Sequence, residues 1–167
     1  MSQIAVESRK HILGPLGRLS AILSDGLDRI LPRDAHKTCS GRLEVSVTPL
    51  WTEDGALNNW RVNTFHSRKD LIDCVLASCY IPGFQERPAF YRGNLCLDGG
   101  FWYNYPHDHV SKNVLVVNHR TGMGHISPKA AFQTWHKIFP PPADVLNDIY
   151  IQGTEDAAQW LAMRAAR

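Results

Sequence analysis

Long apolar runs are missing from this sequence. None approaches the ~18 residues that a membrane-spanning helix requires, and residues 1–10 are polar and mixed in charge rather than leader-like. The expectation is a cytoplasmic protein, soluble or peripherally bound to a surface. Cysteine is scarce: Cys39, Cys74, Cys79 and Cys96 are the only four, with neither the C-x-x-C pairing of a zinc site nor the density of a disulfide scaffold. Reduced, buried thiols follow. Charge of one sign is also lacking, since 18 Lys and Arg against 16 Asp and Glu leave a net charge of +2. Binding to nucleic acid or to an anionic membrane by bulk charge is therefore excluded. What remains is a chain of 167 residues, 44% hydrophobic and 10% aromatic, which has the composition of a folded protein and the length of one domain covering residues 1–167.

The apolar periodicity alternates between helical and strand-like. Leu16, Leu19, Leu23, Leu27 and Ile30 recur at helical spacing until Pro32, which cannot donate the next backbone hydrogen bond. From Arg42 the period becomes two, with Leu43, Val45 and Val47 alternating against polar neighbours, and a turn-rich stretch leads to Trp60, Arg61 and Val62 as the second arm of a hairpin. Ser67, three residues before Asp70, opens a capped helix whose apolar face is Leu71, Ile72, Val75, Leu76 and Cys79, ending near Tyr80. Residues 91–97 read as a short strand and residues 114–117 as a strand buried on both faces. Further helices are expected over residues 129–138 and, after a triple proline at 140–142, over residues 144–165. Strands interspersed with helices predict a layered α/β domain, a mixed sheet flanked by helices.

Most of the chemistry is concentrated between Leu71 and Pro106. Asp98, Gly99 and Gly100 follow the strand at 91–97. An aspartate at a strand end can project its carboxylate over the sheet edge as a general base, while the glycines permit positive φ and close approach of a substrate. The same three residues also suit an ordinary Asp-Gly turn, and spacing alone does not separate the two readings.

An ordered series of segments extends the pattern beyond that motif. It runs through Leu13-Gly14-Pro15-Leu16, Leu31-Pro32 with Asp34-Ala35-His36, Ser40-Gly41-Arg42-Leu43, Ala77-Ser78-Cys79 with Ile81-Pro82, Tyr91-Arg92-Gly93, Asp98-Gly99-Gly100-Phe101 and Phe139-Pro140-Pro141. In this order the chain resembles the C-terminal part of a patatin-like phospholipase domain, close to the adipose triglyceride lipase and adiponutrin branch. The resemblance implies hydrolysis of a lipid acyl ester by a serine in a Gly-x-Ser-x-Gly elbow, with Asp98 as the proton acceptor of a Ser-Asp dyad and no cofactor or metal. The elbow itself is missing, because no serine from Ser2 to Ser127 has glycines two positions before and two after. The oxyanion loop of the family would likewise lie upstream, and residues 1–10 resemble the tail of the helix after the elbow. A truncated domain holding only the Asp half of the dyad is expected, with little or no hydrolysis of its own. The partners implied are a glycerolipid substrate, a lipid-droplet or membrane surface and a protein co-activator. The alternative is a catalytically inactive isoform or gene fragment that binds lipid or a partner, and a third reading is a fragment that does not fold stably because its sheet lacks strands.

Other candidates are weaker. Ser78 and Cys79 lie at a helix exit, where a thiol on an apolar face is ordinarily packing. His107-Asp108-His109 offers two histidines on one face of an extended segment, too few for a zinc site, and a solvated loop is the default. Gly122-Met123-Gly124 lacks the third glycine of a nucleotide fingerprint. Tyr80, Phe84, Phe90, Tyr91, Phe101, Trp102, Tyr103 and Tyr105 suit either a core or an acyl-chain groove. The last helix, carrying Val145, Ile149, Trp160 and Leu161, is expected to pack on the domain, its polar face being too poor in Lys and Arg for a lipid surface.

Overall fold

Leu19, Leu23, Leu27 and Ile30 form helix α1, Leu19–Ile30, in a computed structural model that describes residues 17–52, 58–101, 114–133 and 141–166, so that Leu16 lies outside the described residues. The chain packs as two units, Lys10–Asp108 and a second made of Met1–Arg9 with His109–Arg167. In the first unit α1 gives way at Leu31 to extended backbone just before Pro32. Its end is held by the Arg68 guanidinium, which donates to the carbonyls of Asp28 (2.8 Å), Leu31 (3.1 Å) and Pro32 (3.2 Å). A basic side chain is favoured there by the negative end of the helix dipole. A short helix α2, Ala35–Cys39, follows.

Alternation then produces the expected hairpin. Strand β1, Val45–Pro49, pairs antiparallel with β2, Trp60–Val62, in the register Val45↔Val62 and Val47↔Trp60. Helix α3, Arg68–Ser78, starts on the expected cap: Ser67 Oγ accepts the Asp70 N–H at 3.0 Å, and the Asp70 carboxylate accepts the His66 N–H at 2.8 Å. The segment read as one strand over 91–97 is instead a tight hairpin, β3 (Phe90–Tyr91) and β4 (Asn94–Asp98). Arg92 and Gly93 between them both have positive φ (48° and 80°), the twist that a two-residue hairpin turn needs. Arg92 is kept in this uncommon conformation by stacking over the Tyr91 ring at 5.0 Å and by donating to the Thr64 carbonyl at 3.0 Å.

The sheet order is β2-β1-β4-β3, and every described pair is antiparallel. Val45, Val47, Val62, Tyr91 and Cys96 on one face of the sheet pack against Leu71, Cys74 and Ala77 of α3, which makes the core a sheet-on-helix layer. This is the layered α/β architecture expected. All four cysteines are free, with Cys74 and Cys96 buried and Cys39 and Cys79 half-buried. Burial pushes the Cys74 thiol up to about 11, so it stays protonated and inert at neutral pH.

Asp70 joins α3 to the β3–β4 turn through Arg92, at 3.5 Å. Burial opposes its ionisation, but the His66 N–H and the Arg92 guanidinium outweigh that and hold its carboxyl below the ordinary 3.8. A carboxyl lowered in the folded state contributes stability above the unfolded value and loses it as pH falls. Asp70→Asn should therefore melt earlier than the parent at pH 7, and the gap should close on acidification below 3.8; a gap constant from pH 7 to pH 2.5 would refute this role.

In the second unit the run at residues 114–117 is not a strand buried on both faces. Leu115 is 47% exposed and Val117 68% exposed, and Val117 makes only an isolated bridge with Ile126. The run pairs with its own loop: Val116 N–H donates to His125 Nδ1 at 3.0 Å, and Val116 O accepts from His125 and Ile126. Residues 129–133 carry no helix, and residues 134–138 of that expected element lie outside the described residues. Helix α4, Ala143–Ala165, forms as expected but buries none of its side chains. Val145, Ile149 and Trp160 lie half-covered along one stripe, whereas Leu161 is exposed. Gly153 sits mid-helix, and a Cβ there would meet nothing within 4 Å. Gly153→Ala should thus stabilise α4 by about 0.5–1 kcal/mol, read as a higher denaturant midpoint at unchanged m. No helix among the described residues is long and apolar enough to cross a membrane.

Candidate functional site

Asp98 ends β4, where the strand is held from two sides. It faces Val47 in the register of β1, which places it on the same side of the sheet as Cys96 and Val47 and toward α3. Its own N–H turns away to the Tyr80 carbonyl, 2.9 Å, at the exit of α3. The side chain is partly buried, and one carboxylate oxygen accepts the Gly100 N–H at 2.7 Å. Among the described residues no cation pairs with it. Burial pushes its carboxyl above the ordinary 3.8, only partly offset by the Gly100 hydrogen bond. A carboxylate made more basic in this way, at a strand end and without a counter-ion among the described residues, is equipped to accept a proton from a hydroxyl brought to it.

The two glycines serve a different purpose from the one expected of them. Neither has positive φ; with Phe101 they form a single 3₁₀ turn. The close backbone approach is made by the protein itself, because a Cβ on Gly99 would overlap the Ser46 carbonyl. Ser46 Oγ donates to Asn59 Oδ1 at 2.9 Å, and the Asn59 amide donates in turn to Thr48 Oγ1 (3.3 Å) and to the Gly99 carbonyl (3.4 Å). Asn59 therefore supports the turn from beneath. Gly99 is buried and Gly100 exposed, so the turn is rigid on its inner side and open on its outer one.

Ser78 and Cys79 immediately precede the Tyr80 anchor in the chain. Ser78 Oγ is committed to the Val75 carbonyl at 2.8 Å, 3.8 Å from Cys79 Sγ. Burial raises the Cys79 thiol, and the nearby Asp98 charge raises it further against the Ser78 hydrogen bond. Neither side chain has the activation of a nucleophile. Of the aromatic residues, Tyr80 and Tyr91 are core, Phe84 is half-buried and Phe90 is exposed. The Phe101 side chain, Trp102, Tyr103, Tyr105 and His107-Asp108-His109 lie outside the described residues. No group of three or more metal-ligating side chains occurs among the described residues. Sequence reasoning singles out Asp98 and its turn but misses Asn59, which bridges Ser46, Thr48 and the distant Gly99 carbonyl, and Gln85, which spans the backbone on both sides of Tyr80.

The profile of the patatin-like phospholipase family matches residues 8–110. The human omega-hydroxyceramide transacylase is 31% identical over 93% of this chain and 33% of its own length. The human patatin-like phospholipase domain-containing protein 2 is 29% identical over 95% of the chain and 36% of its own length. The mouse 1-acylglycerol-3-phosphate O-acyltransferase Pnpla3 is 28% identical over 89% of the chain and 40% of its own length. The chain thus spans about a third of the length of the curated relatives it matches. No solved structure matches it significantly.

Proposed function

The chain belongs to the patatin-like phospholipase family, and from that premise we propose that it supplies the aspartate of a Ser-Asp dyad that transfers the acyl group of a glycerolipid ester. Asp98 takes the proton of a serine hydroxyl carried on a Gly-x-Ser-x-Gly elbow outside these 167 residues. The serine oxygen attacks the ester carbonyl, and the proton passes on to the departing alcohol. Water or a second alcohol then releases the acyl group, giving hydrolysis in one case and transacylation in the other. Transfer to an alcohol is named among the relatives by the transacylase and the acyltransferase, and hydrolysis by the patatin-like phospholipase domain-containing protein 2.

The observation that carries this reading is the placement of Asp98. It ends a strand, is half-withdrawn from water and lacks a described counter-ion, and its own turn supports it through the Gly100 N–H. A carboxylate kept only for structure would ordinarily be paired. The acyl donor in this proposal is a triacylglycerol or phospholipid presented at a droplet or membrane surface.

The deciding experiment is ester hydrolysis by a form of the protein extended upstream to include its elbow, with and without Asp98→Asn. Equal rates would remove Asp98 from the chemistry. The 167-residue chain alone should be inactive with either residue, since a base without its nucleophile retains little rate enhancement. Hydrolysis by the chain alone would overturn the dyad.

A further inference from the structure

We propose that Gln85 is a positioning residue for Asp98, acting through the Tyr80 carbonyl. The inference deepens the assignment of Asp98 as a base and rests on it. Gln85 lies in the loop between α3 and β3 and is only 7% exposed. A buried amide must find partners for both its oxygen and its nitrogen, or its burial costs free energy. Here Oε1 accepts the Ile81 N–H at 2.9 Å and Nε2 donates to the Cys79 carbonyl at 3.0 Å. Those two backbone groups stand on either side of Tyr80. One side chain therefore fixes the peptide planes before and after Tyr80, and with them the direction of its carbonyl. That carbonyl is the acceptor of the Asp98 N–H at 2.9 Å.

The local chain makes such a clamp necessary. Helix α3 ends at Ser78, which leaves the Cys79 carbonyl without an intrahelical donor. No glycine follows in the position that commonly closes a helix, so the Gln85 amide supplies the missing cap from six residues away. The loop is fastened on both sides of Gln85, where Gly17 N–H, just ahead of α1, donates to the Phe84 carbonyl at 2.8 Å and Ala21 N–H of α1 to the Glu86 carboxylate at 3.0 Å. Gln85 thus sits between two neighbours that are themselves tied down. With it in place the strand end carrying Asp98 is held from α3 as well as from β1. Without it, the register with Val47 would be the main constraint on the Asp98 backbone.

The test uses the 167-residue chain and needs no catalysis. The Asp98 carboxyl is titrated by carbon-13 NMR, and exchange of the Asp98 amide is compared with that of Cys96, whose N–H is bonded to Ala89. Gln85→Met keeps the length and removes both hydrogen bonds. It should speed Asp98 amide exchange at least about tenfold relative to Cys96. It should also lower the Asp98 titration midpoint toward 3.8 as water reaches the loosened loop. Gln85→Asn is one methylene too short to span both partners and should show the same two changes at smaller amplitude, carrying the test if the methionine variant does not fold. Ile72→Val, a core truncation in α3, serves as the stability control and should produce neither change. If the Gln85 variants melt earlier but leave Asp98 exchange and titration at the parent values, Gln85 is only structural and the proposal falls. Loss of ester hydrolysis on Asp98→Asn in the extended protein is a separate result. It can fail while the Gln85 effect on Asp98 stands, or succeed while that effect is absent.

Discussion

Asp98→Asn in the elbow-bearing protein should lower kcat by about a hundredfold to ten-thousandfold with little change in KM, the range that a positioned general base contributes. Asparagine keeps the acceptor oxygen for the Gly100 N–H, so the turn survives while proton acceptance is lost. In the parent, kcat/KM should rise with pH through the Asp98 titration, and that rise should begin above the ordinary carboxylate value, because burial holds the carboxyl above 3.8. The stability of the same variant should move the other way. A carboxyl raised in the folded state binds its proton more tightly than in the unfolded chain. Its contribution is complete below the unfolded value and is lost as pH rises through the folded one. At pH 7 the parent therefore bears an ionised, half-buried carboxylate that asparagine does not. Asp98→Asn should melt at a higher temperature than the parent at pH 7, and this difference should shrink below pH 3.8. A variant both inactive and less stable at neutral pH would make Asp98 a structural carboxylate. An inactive, more stable one has the signature of a site whose chemistry is maintained against folding stability.

The elements legible in the sequence were those whose signals are local. Ser67 and Asp70 lie three apart and close on each other within one turn, so the start of α3 could be read directly. The alternation at Val45 and Val47 likewise puts both valines on the face that meets α3. The single strand read over 91–97 was split by Arg92, because arginine is not a customary left-handed residue. Its conformation there is secured by Tyr91 and by the distant Thr64 carbonyl, contacts that no window of sequence contains. The run at 114–117 misled for a related reason: continuous apolarity says that a segment has something to bury, not that another strand lies beside it. At the site, Asp98 was visible through its motif, but its supports were not. Gln85 and Asn59 look like loop polar residues until the fold brings the Cys79 carbonyl and the Gly99 carbonyl to them.

Gly99→Ala should be among the most damaging single-methyl additions in the first unit, costing about 3 kcal/mol and roughly 10 °C or more in melting temperature. The cause is not conformational freedom, since Gly99 does not have positive φ. The new Cβ would overlap the Ser46 backbone carbonyl and its neighbouring atoms, and backbone cannot rotate aside as the end of a long side chain can. Relief requires the turn to lift from β1, and lifting it draws the Gly99 carbonyl from Asn59, which also bridges Ser46 and Thr48. The damage should accordingly spread along the end of β1 and reach Asp98 through its immediate neighbour, so that the extended protein also loses activity at temperatures where it remains folded. Gly153→Ala is the matched comparison, the same methyl added where nothing lies within 4 Å, and it should change stability in the opposite direction. Urea unfolding of the two variants beside the parent measures both effects. A Gly99→Ala midpoint indistinguishable from the parent would mean that β1 and the turn are not in contact as described, and with that the rigid inner side of the Asp98 turn would be lost.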